Sequence, residues 1–313
     1  MIDGSSILGM ASVEDSDRAL VPELASFRRW EDGIGLVMCD VPGVCSRSTL
    51  KRELGEIKMN VGFEPEFFLL RDSMHTDNAN YGDAAGDDIR REIMAELEKI
   101  GIVPLTAHHE RAPSQHEITY RYADALTSCD NLILGKLITE RVAHRHGLVA
   151  NFEPKPFEGV NGNGLHTNVS LWEGGKNTFA STSKHFMAGV LTHARALCFL
   201  TNPSVNSYKR LVAGYEAPVN ITWGHRDRSS MIRIPRATGD AARIEIRNPD
   251  ATMNPYLGVA AILRAGMDGV ERKLLPPEVG TLPSSLEEAK TEFSKSELFS
   301  SLLHNLSHEK ENR

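Results

Sequence analysis

The stretch VGFEPEFFLL, residues 61–70, decides how this chain is read. Val61, Phe63 and Pro65 alternate with Gly62, Glu64 and Glu66 before the run closes on Phe67, Phe68, Leu69 and Leu70. Side chains two apart on a strand share a face, so Glu64 and Glu66 point the same way. A strand this apolar is expected to be buried, and a buried ionised carboxylate is costly unless something positive sits against it. The rest of the sequence has to supply that partner.

Other strand-like pieces carry a matching inventory. In LHTNVSLW (165–172), His166, Asn168 and Ser170 share one face, with Leu165, Val169 and Leu171 behind. In ARIEIRN (242–248), Arg243, Glu245 and Arg247 line one face and Ile244 and Ile246 the other; in SMIRIP, Arg233 stands opposite Ile232 and Ile234. HHERAPSQHE (108–117) adds Glu110 and Glu117 around a turn-rich loop. Any one of these strands alone reads as an exposed edge with scattered charge. Together they make a front of carboxylates, one imidazole and guanidiniums, where a solvated face would mix in more Lys, Thr, Ser and Gln. Carboxylates with a histidine suit a hard divalent cation, Mg²⁺ or Mn²⁺. The arginines suit phosphate and carboxylate groups through bidentate geometry. Metal ions with an arginine clamp are the equipment of phosphoryl transfer. The residues by themselves therefore point to a metal-dependent, ATP-using enzyme acting on an acidic substrate.

The totals fit that class. A chain of 313 residues, 41% hydrophobic and 25% charged, is long enough for one large domain or a domain with a smaller partner. The net charge of -7 argues against nucleic acid held by bulk electrostatics. Cys39, Cys45, Cys129 and Cys198 have no CxxC spacing, so reduced thiols in a cytoplasmic protein are expected. No apolar run approaches the roughly 18–20 residues that span a bilayer, and no membrane partner is expected.

Apolar periodicity predicts helices over 48–58, 86–101 (with an Asp N-cap), 122–147, 184–200 and 254–274, and a strand over 34–41. The start of the chain reads as turn chemistry, the tail from Pro276 as mixed Pro, Ser and charge with fraying last residues. Helices interleaved with groups of strands, without GxGxxG or a P-loop, indicate an α+β fold rather than a doubly wound nucleotide fold.

Seven motifs together resemble the glutamine synthetase family: DGSSILG (3–9), GFEPEFFLL (62–70), HHERAPSQHE (108–117), PKPFEGVNGNGLHTNVSL (154–171), NPSVNSYKRLVAGYEAP (202–218), DRSSMIRIP (227–235) and RIEIRNPDATMNPYL (243–257). The HHExAPxQHE spacing is similar to the short-loop, type I bacterial and archaeal form. The resemblance implies a catalytic domain over 59–313, a curved antiparallel sheet flanked by helices, and a partial N-terminal β-grasp domain over 1–58. The chain would thus be shortened at both ends relative to the family, and it lacks the tyrosine-bearing loop through which some relatives are adenylylated.

The activity it implies is ATP-dependent ligation of ammonia to the γ-carboxylate of L-glutamate by way of γ-glutamyl phosphate. A γ-glutamyl ligase for another amine, or an inactive structural or regulatory relative, are the alternatives. Glu66, Glu110 and Glu117 would ligate one Mg²⁺ or Mn²⁺, and Glu64, His166 and Glu245 a second, so that Glu245→Gln would abolish turnover with little loss of fold. Asn161, Gly162, Arg210 and Arg247 would hold glutamate. Arg228, Arg233 and Arg243 would hold the ATP phosphates and the transferring group, with Asn168 and Ser170 near the nucleotide. Glu216 would close over the γ-carboxylate, and Asp3 would deprotonate ammonium in a neighbouring subunit's site. Self-association follows from that shared site, the family's assembly being a ring, a dodecamer.

Overall fold

The strand that carries Glu64 and Glu66 runs from Lys58 to Arg71 and is the spine of the molecule. The structure, a computed structural model, describes residues 2–3, 16–31, 33–41, 46–300 and 302. Short strands open the chain: β1 (Ile2–Asp3), β2 (Asp17–Arg18), β3 (Val21–Pro22), β4 (Arg28–Glu31), β5 (Ile34–Leu36) and β6 (Cys39–Asp40) pair as β1–β2, β3–β6 and β4–β5. Helix α1 (Ser46–Leu54) then leads into the spine, β7 (Lys58–Arg71). There follow β8 (Met74–His75), α2 (Asp87–Lys99), the hairpin of β9 (Pro104–His109) and β10 (Gln115–Tyr120), β11 (Ala123–Asp124), α3 (Ala125–Arg145) and β12 (Val149–Asn151). The second half holds β13 (Leu165–Glu173), β14 (Lys176–Asn177), α4 (Phe179–Thr192), α5 (Ala194–Thr201), α6 (Val205–Arg210), β15 (Asn220–Ile221), β16 (Trp223–His225), β17 (Ile232–Ile234), β18 (Ile244–Ile246), α7 (Pro255–Glu271), β19 (Gly280–Thr281) and α8 (Leu286–Ser294).

The central sheet is 11-stranded, with the path β16-β17-β18-β13-β7-β10-β9; β8, β11 and β12 also pair with β7, and β14 with β13. The β16–β17 ladder is parallel; the ladders joining β17, β18, β13, β7, β10 and β9 are antiparallel. Along β7 the alternation read from the sequence holds: Met59, Val61 and Phe63 are buried on the back, while Asn60, Gly62 and Glu64 are half-exposed on the front. The helices cover the back, α3 packing against β7 and α4 against α7. That last crossing needs glycine. A Cβ on Gly189 of α4 would collide with the Ala265 carbonyl of α7, and one on Gly269 with the His185 carbonyl of α4, so the two helices meet backbone to backbone.

Several sequence expectations are corrected. The strand over 34–41 is two short strands, Ile34–Leu36 and Cys39–Asp40. The helix expected over 184–200 is two, broken at His193 (φ -97, ψ 7), whose imidazole bonds Asp268 at 2.8 Å. The N-cap of α2 is Gly86, left-handed at φ 69, and the acids Asp87 and Asp88 lie in the first turn, where they still favour the helix dipole. Ile2 and Asp3 form a strand rather than a turn, and the tail contains α8, capped by Ser285. The expected fraying of the last residues lies outside the described residues.

Beneath the sheet a buried charge ties the helices together. Arg47 of α1 grips Asp130 of α3 with two bonds of 3.0 Å, and the Tyr256 hydroxyl of α7 donates to the same carboxylate at 2.6 Å. Both charged side chains are almost fully buried, at 7% and 5% exposure. Removing Asp130 would leave buried Arg47 to the half-buried Glu23 carboxylate, 3.3 Å away, so Asp130→Ala is expected to cost about 3 kcal/mol of stability. An unfolding free energy from urea titration within about 1 kcal/mol of wild type would contradict the role given to this pair.

Candidate active site

The front of the sheet is built by register. His166 of β13 lies opposite Glu64 of β7, and Glu117 of β10 opposite Glu66. Asn168 pairs with Gly62 on one side and Glu245 on the other, and Arg233 of β17 pairs with Glu245. Opposed residues on one face approach within about 5 Å at Cβ, so these side chains must interact. They do so around His166. Its Nδ1 lies 3.4 Å from Glu64 and 3.8 Å from Glu245, and its Nε2 lies 3.9 Å from Glu66.

Two donor sets result. Glu64, His166 and Glu245 can offer ligand atoms within 4.8 Å of one another, and so can Glu66, Glu117 and His166. Glu110 joins through a third set with His108 and Glu117, the His108 ring standing 3.4 Å from Glu110 and 3.2 Å from Glu117. The donors are oxygen-rich and hard, which fits a Mg²⁺- or Mn²⁺-type ion. The electrostatics fit as well. Burial, and then the charges of Glu66 and Glu117, push the Glu110 carboxyl up to about 8; burial and the neighbouring glutamates also raise Glu117. Across the site, burial works to raise Glu64, but His166, Asn168 and Arg233 hold it down at about 2. One side of the floor thus has its counter-charge within the protein, and the other holds crowded carboxylates with too little.

Protein groups fix the carboxylates in place. Glu66 accepts from the Gly164 amide at 2.7 Å and from Gln115 at 3.3 Å, and Glu64 from Asn168 at 2.9 Å. Glu245, fully buried, is held between the guanidiniums of Arg233 and Arg247. This placement adds a structural cost to Glu245→Gln, because the neutral amide would remove the charge held between half-buried Arg233 and buried Arg247. Spacing alone does not single out Gln115 and His108. Both lie inside HHERAPSQHE, and the register of β9 on β10 that sets His108 opposite Glu117 is the missing information. The hairpin turn is pinned from behind by Asp77, which accepts from the Ser114 amide at 2.8 Å and bonds His109 at 3.1 Å.

Over the floor opens a cavity of about 940 Å³, at the upper end of small-ligand sites. Of the residues expected from the sequence, Glu245 lies beneath the floor and the side chain of Asp3 lies outside the described residues. Glu64, Glu66, Glu110, Glu117, Asn161, Gly162, His166, Asn168, Ser170, Arg210, Glu216, Arg228, Arg233, Arg243 and Arg247 all line the cavity. Arg243 donates to Asn168 at 3.0 Å, and Ser170 accepts from Trp172, whose ring stacks on the cavity-lining Tyr122. Arg210 is buried, its guanidinium bonding the carbonyls of Arg247, Asn248 and Pro249 while lining the cavity. Gly162 is required where it stands, since a Cβ would collide with the Pro154 carbonyl.

At the mouth, Glu216 accepts from Asn161 and from Arg111, each at 2.9 Å. Its φ of +59 is an uncommon conformation for a non-glycine residue and is retained here at the cavity rim. Sequence alone does not point to Arg111, because nothing in it says that residues 105 positions apart meet at one rim.

The crowded carboxylates make a pH prediction. The folded Glu110 carboxyl lies near 8, against about 4.3 in an unfolded chain. Between those values the folded state binds more protons than the unfolded, so without divalent metal stability falls as pH rises through that window. Melting in EDTA is expected to drop from pH 5.5 to 8, and millimolar Mn²⁺ or Glu110→Gln should flatten the drop. A Tm that rises with pH in EDTA would contradict the crowding described above.

Comparison with known proteins agrees with this geometry. The profile of the family described as "Glutamine synthetase, catalytic domain" matches residues 43–309. A glutamine synthetase of Methanocaldococcus jannaschii is 44% identical over 319 residues, covering 88% of this chain and 69% of that protein. One of Thermococcus kodakarensis is 41% identical over 339 residues, covering 94% of this chain and 76% of that protein. Among solved structures, a GmaS/ADP complex superposes with a TM-score of 0.89 at 33% identity, over 99% of this chain and 84% of that one. With a family match over most of its length and relatives above 40% identity, this chain belongs to the glutamine synthetase family.

Proposed function

We propose that this chain joins ammonia to the γ-carboxylate of L-glutamate, coupled to cleavage of ATP into ADP and phosphate, by way of γ-glutamyl phosphate. One observation carries the reading: oxygen-rich donor sets meeting at His166 share a buried sheet face beneath a rim of arginines, in one cavity. Relatives at 44% and 41% identity that are glutamine synthetases support the same conclusion, and the neighbour solved with ADP supports a nucleotide in the cavity.

In this proposal Glu64, His166 and Glu245 hold one Mg²⁺ or Mn²⁺, and Glu66, Glu110 and Glu117 a second. When bound, the ions offset the repulsion between the γ-carboxylate and the triphosphate, two anions that must meet. Asn161, Gly162, Arg210 and Arg247 orient glutamate; Arg233 and Arg243 take the ATP phosphates, with Asn168 and Ser170 on the nucleotide and Arg228 on the transferring group. A γ-carboxylate oxygen attacks the terminal phosphorus, the bridge to the β-phosphate breaks, and ADP leaves. Asp3 of a neighbouring copy takes a proton from ammonium. The freed nitrogen attacks the acyl carbon, the C–O bond to phosphate breaks, and loss of a second proton gives the amide. Glu216 covers the acyl phosphate and keeps water from it. The same reading takes 1–58 as part of a β-grasp domain and 59–313 as the catalytic domain, in a self-associating cytoplasmic enzyme. Among the described residues no helix is long and apolar enough to cross a membrane.

The test is phosphate release from ATP with Mg²⁺ and glutamate, comparing ammonium, methylamine and putrescine. Release only with ammonium is expected; release only with a larger amine would reassign the acceptor, and none with any amine would overturn catalysis. Glu64→Gln is the cleaner ligand variant, since Glu64 is a quarter exposed and a glutamine there keeps an oxygen for Asn168 while losing only the charge that faces His166 and Arg233. It is expected to lower turnover by more than about 100-fold with the Tm held within a few degrees. Near-normal turnover would remove Glu64 from the metal set.

A further inference from the structure

The segment between buried Leu211 and Pro218 carries Glu216 and is otherwise largely exposed, at Val212, Ala213 and Gly214. Its inward-facing members are Tyr215 and Ala217, both half-buried. Against the Tyr215 ring stands Lys155, whose ammonium lies 3.7 Å from the ring centroid. Lys155 is only 8% exposed, although lysine rarely is buried without a partner. Its ammonium also donates to the Val160 carbonyl, so it closes the loop that presents Asn161 and Gly162, and its Cδ packs against Gly162. That loop is further tied by the Asn163 amide to the Pro154 carbonyl at 2.8 Å.

The other contacts that hold Glu216 are of a different kind. The Arg111–Glu216 pair is 60% and 52% exposed, and exposed ion pairs contribute little. A desolvated ammonium over an aromatic face is the stronger interaction. Beside the exposed Asn161–Glu216 bond, Lys155 joins the two substrate-facing segments from within, one offering Asn161 and the other Glu216. We propose that Lys155 is a positioning residue: through Tyr215 it seats Glu216 over the cavity, in register with the loop of Asn161 and Gly162. This rests on the reading of Glu216 as the cover of a water-sensitive acyl phosphate.

Two variants separate charge from volume. Lys155→Met keeps the stem and removes the ammonium; Lys155→Arg keeps a cation able to stack on the ring. The first measurement needs no activity: limited proteolysis with a glutamate-specific protease, followed at the Glu216–Ala217 bond in the full chain. Lys155→Met is expected to be cut there about 10-fold faster, Lys155→Arg near wild type, and cuts elsewhere unchanged. The second is the ratio of phosphate released to glutamine formed, with ammonium as acceptor. Wild type should give one to one. In Lys155→Met, water takes the acyl carbon in a fraction of turnovers, returning glutamate and phosphate, so phosphate should exceed glutamine about twofold or more. Wild-type cleavage and a one-to-one ratio in Lys155→Met would overturn the proposal, as would faster cutting at all sites, which marks a general loss of fold. If wild type makes no glutamine, the functional reading fails, and cleavage at Glu216 still decides the seating role.

Discussion

Glu66 and Glu117 face each other across two antiparallel strands on a buried surface, with Glu110 beside them. Like charges directly opposed in a sheet repel, and burial removes the water that would screen them. The protein answers only part of that repulsion itself. The Gly164 amide and Gln115 bond Glu66, and His108 lies between Glu110 and Glu117. On the other side of His166, two arginines and Asn168 supply ample compensation for Glu245 and Glu64. The asymmetry leaves a negative hollow next to a positive rim. Such a hollow suits a divalent cation, and such a rim suits anionic groups.

The scaffold makes that arrangement rigid. β7 is the long central strand, and it contributes a carboxylate to each of the two donor sets that meet at His166, while its alternate residues are locked into the core. The α4–α7 crossing at Gly189 and Gly269, and the Arg47–Asp130–Tyr256 node, fix the layer behind. Function then depends on loops hung from this frame, where strained residues such as Glu216 meet partners far away in sequence. A rigid floor under a jointed rim suits a reaction that must place charges accurately and exclude water only while the reactive intermediate exists.

Much of this was legible in the sequence because strand alternation is local. Glu64 with Glu66, His166 with Asn168, and Glu245 between Arg243 and Arg247 could be assigned to one face from spacing alone, and the sheet joins those faces. What spacing could not give is register and long-range contact. His108, Gln115 and Arg111 sit within a quoted motif, yet their partners were set by how β9 meets β10 and by where residue 216 comes to rest. Glu245 shows the same limit: its face is readable, but not the pair of guanidiniums that holds it. Helix ends also escaped, since a left-handed Gly86 and the break at His193 are set by packing rather than periodicity.

On this reading two divalent ions complete the carboxylate floor. A crystal structure of the protein grown with Mn²⁺, with anomalous scattering measured at the manganese edge, tests it directly. Two peaks are expected, one among Glu64, His166 and Glu245 and one among Glu66, Glu110 and Glu117, with ligand atoms at roughly 2.0–2.3 Å. A floor with no manganese, or with manganese bound away from these residues, would contradict it.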